Sequence, residues 1–380
     1  MKGMEDKMEL CTWLDSLWNE SSLYMPFNIE LDSQYFSELK NKLNLLVGIL
    51  EKSRAPETLI SCSKSYAEQL TTAVELYYKG DIFESYTVVE NLFDDCCNNN
   101  SYAISGVNSS MAFAPAYNGG KDEVQFFRAR LNDQVVDFHA QEMLHIPFSK
   151  RSKVRSERFS IPGLPCLYLG NTSYVCWIEM GCPPDFRFNV SPVRLDNSQE
   201  IFNLAISLQD LYYVVDYCKE DREEKLCDLL KLFMINMAIS FNVKEVERNF
   251  KSEYIISQMI MLACKKRGLD GITYHSKRVS NSMFAHIIGV NLALFAKYEG
   301  EESLSKICEH LSIGDSFNYS MFKQLCCSLK YKRYRLRIDN GLANNIGSFK
   351  RQFPYNETEF YEFDIFLFAH FDEKTPKKEE

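Results

Sequence analysis

Residues 166–180, CLYLGNTSYVCWIEM, hold both kinds of secondary structure in one short stretch. Cys166–Leu169 is an apolar run bounded by Pro165 and by Gly170–Asn171, the pattern of a strand. Ser173–Met180 reads as a short helix. Working outward, Phe126–Leu131, Phe186–Val190, Ile201–Ala205, Asp270–His275 and Ile287–Phe295 read as further strands. Asp221–Ser240 reads as a long amphipathic helix, and Ser252–Arg267 as a helix closed by Gly268. These segments do not follow a regular βαβ alternation, so the sequence predicts an α+β core.

The flanks have a different texture. Between Ser33 and Lys52 apolar residues fall at Phe36, Leu39, Leu43, Leu46, Val47 and Leu50, one stripe of a helix. A second stripe runs from Leu59 through Cys62, Tyr66, Leu70 and Ala73 to Tyr77, and Lys79–Gly80 interrupts it. Asp81 and Glu84 then have capping-box spacing ahead of Ile82, Tyr86, Val89 and Phe93. Asn98–Glu123 turns to Asn, Ser, Gly and Ala, without apolar period. The C-terminal part offers helices over Glu302–Leu311 and Ser316–Leu329, a basic strand over Tyr331–Ile338, an aromatic segment over Phe360–Phe371 and a polar tail. The expected organisation is a helical domain (1–98), a linker or loop (99–123), the core (124–300), a C-terminal extension (301–372) and a tail (373–380).

Composition excludes several classes. The chain has 380 residues, 46% of them hydrophobic, enough to bury the cores of two or three domains. A net charge of -9 argues against a general nucleic-acid or anionic-membrane binder. No apolar run approaches the ~18 residues of a membrane span. The acids Glu5, Asp6, Glu9, Asp15 and Glu20 do not suit a signal peptide. The cysteines are odd in number at 13, and no CxxC occurs, so the expectation is reduced thiols in the cytoplasm rather than zinc or disulfides. Neither HExxH, GxGxxG nor a Walker loop is present.

Several polar groups stand out against apolar surroundings. Alternation puts Arg128 and Arg130 on one face of their strand, where they suit either a solvated edge or a guanidinium fork for phosphate or carboxylate. Glu179, eleven residues after Tyr168, is either an ordinary helix-face glutamate or a carboxylate with a specific partner. Lys150, Arg151, Lys153, Arg155 and Arg158 form a basic run between proline turns that is either solvated or lines an anionic pocket.

Together these segments resemble the RES domain family, named for an arginine, a glutamate and a serine. Phe127–Arg128–Ala129–Arg130 resembles the family's aromatic-Arg opening. Arg158–Phe159–Ser160, Gly163 and Leu167–Tyr168–Leu169 resemble its "GRW…G…lYla" stretch, and Tyr168 to Glu179 has the family's Tyr-to-Glu spacing. Glu253–Tyr254, Gln258, Asp270–Ser276 and Asn291–Phe295 resemble the "eYxxxQ…DGixYpS…nlxlF" ending. Glu157, Phe159 and His275 stand where the family has glycine, tryptophan and proline. The resemblance covers Val124 to Tyr298 and leaves both flanks unexplained.

The resemblance implies a fold similar to mono-ADP-ribosyltransferases, with NAD held between small sheets. Characterised members are toxins of toxin–antitoxin pairs that cleave the nicotinamide–ribose bond of NAD by phosphorolysis or hydrolysis. Carried over by residue, Arg128, Tyr168, Glu179 and Ser276 would be catalytic, and Arg130, Arg158, Ser160 and Tyr274 would bind substrate. NAD enters as substrate, with inorganic phosphate as co-substrate, and neither a metal nor a resident cofactor is expected. Expected partners are NAD and an antitoxin or regulatory protein, with a homo-oligomer left open. The leading expectation is a cytoplasmic NAD phosphorylase or NAD glycohydrolase that depletes NAD as a toxin or defence effector. The alternatives are an ADP-ribosyltransferase acting on a protein and a catalytically silent RES-like interaction module. Residues 1–98 serve either as packing or as an autoinhibitory or partner-binding domain.

Overall fold

Regular apolar periods become helices and strands over most of the chain. The computed structural model describes residues 12–107, 124–279, 289–329 and 345–370, apart from Val136, Lys219, Val246, Glu299, Glu301, Glu302, Phe349 and Lys350. In chain order the helices are α1 (12–19), α2 (Tyr35–Lys52), α3 (Glu57–Lys79), α4 (Ile82–Cys97) and α5 (Ser173–Glu179). Then come α6 (Leu208–Tyr217), α7 (Arg222–Ile239), α8 (Ile255–Lys266), α9 (Tyr319–Leu329) and α10 (Glu359–Ala369). The strands are β1 (Phe27–Ile29), β2 (Ile104–Gly106), β3 (Val124–Leu131), β4 (Cys166–Gly170), β5 (Phe188–Leu195) and β6 (Glu200–Asn203). They continue with β7 (Phe241–Val243), β8 (Gly271–His275), β9 (Val290–Phe295), β10 (Leu311–Ile313), β11 (Phe317–Asn318), β12 (Asn345–Ser348) and β13 (Arg351–Pro354). The fold is α+β. No described helix is long and apolar enough to cross a membrane.

The chain divides into two compact units, and neither is continuous in sequence. The first comprises Met1–Ser105, Glu157–Phe159 and Ile201–Ala285. Its centre is α7, which is enclosed by α2, α3, α4, α6 and α8. From Leu229 to Ile239 every side chain except Lys231 is buried, so the helix is not amphipathic as expected. A helix apolar all round is the signature of a surrounded one. The helices of 1–98 are therefore walls of this shared core rather than a separate domain. At the end of α3, Gly80 takes φ +89°, and the Gly80 and Asp81 amides close back on Tyr77 O (3.0 Å) and Leu76 O (3.0 Å). Asp81 thus serves the end of α3, and the expected capping box with Glu84 does not form. Two parallel pairs complete the unit, β1 with β7 and β6 with β8.

The second unit comprises Gly106–Ser156, Ser160–Glu200 and His286–Glu380. It contains an antiparallel run in the order β10-β5-β3-β4-β9. β5 begins later than expected, at Phe188, after a 3-10 turn over Asp185–Arg187, and extends to Leu195. On its outer side β10 pairs with Val193–Leu195 and β11 with Asn189–Val190. The break between them coincides with Pro192, which has no N–H to offer a neighbouring strand. Helix α5 packs on β3, where Cys176 joins Phe127, Ala129, Phe188 and Val190 in one buried cluster. Tyr319 and Phe322 of α9 and Phe363 and Leu367 of α10 belong to the same cluster. The segments expected as a C-terminal extension therefore share a core with 124–200. The helix expected over Glu302–Leu311 is a 3-10 turn (Lys306–His310) running into β10. The expected strand over Tyr331–Ile338, the tail after 372 and most of the expected linker (108–123) lie outside the described residues.

Candidate active site

In the second unit, β4 carries Tyr168 between β3 and β9, with Phe127 opposite Gly170 on one side and Asn291 opposite it on the other. The chain then turns through Asn171–Thr172 into α5. The turn is tight: a Cβ on Gly170 would lie 2.5 Å from Val175 Cγ1 and 2.7 Å from Cys176 Sγ. Only glycine lets α5 fold back this closely on the strand. Thr172 Oγ1 accepts from the Val175 amide (3.1 Å), a side-chain cap on a helix of seven residues.

At the other end of α5 sits Glu179, half-buried. Asn291 Nδ2 donates to Glu179 Oε1 at 2.8 Å. Tyr168 OH donates to Ser160 Oγ at 3.1 Å, which joins two more of the expected residues. Arg128 donates from Nε to Met143 O (3.2 Å) and from Nη1 to Tyr168 O (3.1 Å). Its Nη2 has no acceptor among the described residues. Burial pulls the Arg128 pKa down from the usual guanidinium value, and Arg130 acts in the same direction. Cys176 lies within electrostatic reach of both Arg128 and Glu179, and burial pushes its thiol up to about 12. It is a packing residue, not a nucleophile.

Arg130 is exposed, stacks 4.6 Å over Phe138 and donates to Glu142 O at 2.7 Å. Arg128 and Arg130 do share a strand face, and both reach the 3-10 turn Ala140–Met143. Of the basic run, Lys150, Lys153 and Arg155 are exposed and Arg151 stacks on Phe148 and Tyr298. Solvation accounts for most of that run.

In the first unit Arg158 is buried, donates from Nη1 to His275 O (3.0 Å) and lies 4.7 Å from the Tyr274 ring. Phe159 packs on the same tyrosine at 4.7 Å. Ser276, also buried, accepts the Arg278 amide at 3.2 Å through its Oγ. The structure thus gathers Arg128, Tyr168, Ser160 and Glu179 in one unit and Arg158, Tyr274 and Ser276 in the other.

Asn291 lies in the stretch that carries the resemblance, which assigns it no role at the site. A lone amide in the otherwise apolar Val290–Phe295 was the available signal. No group of three or more His, Cys, Asp or Glu side chains among the described residues is arranged to hold a metal.

No family model matches the chain. A Bacillus subtilis (strain 168) protein described as "Putative toxin YopC" is 30% identical over 272 residues, 68% of this chain and 57% of that protein. The chain therefore spans a little over half the length of that relative. A chain in the crystal structure of the M. tuberculosis MbcT–MbcA toxin–antitoxin complex aligns over 63% of this chain and 97% of its own length. It does so at 9% identity with a TM-score of 0.30, too low to establish a common fold.

Proposed function

We propose that the chain is an NAD-consuming enzyme that cleaves the nicotinamide–ribose bond, with phosphate or water as acceptor. It acts in the cytosol as a toxin or defence effector and is restrained by an antitoxin or other regulatory protein. The observation that carries this reading is Glu179, a half-buried carboxylate oriented by Asn291 in the unit that also gathers Arg128, Tyr168 and Ser160. The resemblance of these residues to the RES motifs supplies the substrate, and the description of the B. subtilis relative as a toxin agrees with the consequence.

The chemistry needs few groups. The bond between ribose C1′ and the nicotinamide nitrogen breaks with both electrons going to the ring, which leaves as neutral nicotinamide. The ribose becomes an oxocarbenium ion, as in glycoside cleavage. Glu179 supplies the negative charge that stabilises this ion, and Asn291 keeps that charge in place. An oxygen of phosphate or water then bonds C1′, and attacking water releases its proton to solvent. The Tyr168 ring offers a face for nicotinamide. In this unit Arg128 suits the pyrophosphate or the attacking phosphate. Arg130 and Ser160 complete the assignment in this unit as substrate-binding groups.

Incubating the pure protein with NAD, with and without phosphate, and weighing the products tests the reading. ADP-ribose phosphate or free ADP-ribose supports it. A mass-shifted protein would replace it with ADP-ribose transfer, and intact NAD would overturn it.

A further inference from the structure

Asp364 is a buried carboxylate in α10, among residues that the RES resemblance does not cover. Its Oδ1 accepts the Ser173 amide at 3.0 Å, and its Oδ2 accepts the Tyr355 hydroxyl at 2.6 Å. Ser173 is the first residue of α5, and Glu179 is the last. A buried carboxylate is costly to desolvate and persists in a core only where hydrogen bonds satisfy it.

The helix it holds needs such support. Isolated helices below ~12–15 residues are marginal in water, and the first N–H groups of any helix lack intrahelical acceptors. In α5 the Val175 amide is met by Thr172 Oγ1 and the Ser173 amide by Asp364. Ser173 Oγ also donates to Phe360 O at 3.4 Å. The outer face of α5 is covered by the same C-terminal segment: Phe360 lies 5.4 Å from Tyr174 and 5.5 Å from Trp177, and Tyr355 lies 6.4 Å from Tyr174. A rotation or slip of so short a helix would carry Glu179 away from Asn291.

We propose that Asp364, itself fixed by Tyr355, is a positioning residue that locks the first turn of α5 and so sets the place of the Glu179 carboxylate. The inference rests on Glu179 being the charge that meets the ribosyl cation. Loss of the lock then acts on the transition state rather than on substrate affinity. A residue with only a packing role would lower stability and leave turnover per folded molecule unchanged.

The test uses the full chain and compares wild type, Asp364→Asn and Tyr355→Phe by NAD kinetics and by hydrogen exchange of the 171–180 peptide. Asp364→Asn keeps the shape but places an amide against one of two donors. The expected result is a kcat about tenfold lower or more with KM within about twofold, and faster exchange in 171–180. Tyr355→Phe should fall between. Folded Asp364→Asn with wild-type kcat overturns the proposal. Should that variant fail to fold, Tyr355→Phe decides alone: wild-type kcat and exchange overturn it, and a lower kcat with faster exchange supports it. Should wild type leave NAD intact, the proposed reaction fails, and exchange still decides the lock. Unchanged protection in both variants then removes it, and faster exchange retains it.

Discussion

Asn291 Nδ2 donates to Glu179 Oε1 across 2.8 Å, so strand β9 dictates where the carboxylate at the end of α5 lies. Glu179→Gln retains an oxygen that can accept this bond and removes only the charge. NAD cleavage should fall by ~10²–10³ in kcat, the usual cost of losing one electrostatic stabiliser. Asn291→Ala keeps the charge and loses the tether, so it should fall by a smaller factor, about tenfold. Steady-state rates for the two variants check the order. Near wild-type turnover in Glu179→Gln would remove Glu179 from the reaction.

Arg128 and Arg130 should separate sharply in stability. Arg128 spans two carbonyls, Met143 O and Tyr168 O, which a single ammonium cannot hold with the same fork. Arg128→Lys should lower stability by about 1–3 kcal/mol and weaken use of NAD or phosphate. Arg130→Lys, at an exposed site, should stay within about 0.5 kcal/mol. Urea melts measure both, and equal losses would contradict the assignment.

What the sequence revealed and what it hid follow from the range of each signal. The strand–helix passage around Tyr168–Glu179 was legible because period and turn residues are local, and β4 and α5 match it within a residue. The stripe on α2 announced burial correctly at Leu39, Leu43, Leu46 and Leu50. A stripe cannot name the surface it packs on, and so the sharing of α7 by the helices of 1–98 was hidden. On α4, Val89 and Phe93 are buried, whereas Ile82, the first residue of the helix, is 53% exposed. At the site, Tyr168–Ser160 and Glu179–Asn291 were each within the quoted motifs, but their pairing depended on strand register. Asp364 was readable only as an acid in an aromatic segment, because its partner Ser173 is remote in sequence.

Acidic groups predict the pH dependence of stability. Burial raises Asp364 from its usual 3.8 to about 7, against the lowering effect of its bonds from Ser173 and Tyr355. Between about pH 4 and 7 the folded chain therefore holds a proton that the unfolded chain has released. The folded state binds more protons in that window, so stability falls as pH rises through it. Burial also lifts Asp228, to about 6, with the same sign. Urea midpoints should drop from about pH 5 to about pH 7.5, and Asp364→Asn should show a smaller drop. An equal drop in both proteins would contradict the burial of a protonated Asp364.

A chain starting at Gly119 lacks α2, α3 and α4, three of the helices that enclose α7. The side chains it would uncover between Leu229 and Ile239 are almost all apolar. Such a fragment should be insoluble or aggregated rather than a more active enzyme. Sedimentation and size-exclusion profiles test this, and a monodisperse fragment with wild-type turnover would overturn it.

The interleaving of the two units has a consequence for synthesis on the ribosome. Residues 1–105 share their unit with 201–285, and 106–156 and 160–200 share theirs with 286–380, so neither unit is complete until late in synthesis. Contacts that join distant parts of a chain form slowly and leave early segments uncovered while translation proceeds. A protease pulse on chains stalled at 200 should therefore find no fragment with the protection of the full chain. Under the proposed function, the delay would act as a safeguard for the cell that makes the protein. Glu179 emerges long before Asn291 and Asp364, the two residues that hold it in place, so a truncated chain carries the reactive carboxylate without the means to aim it.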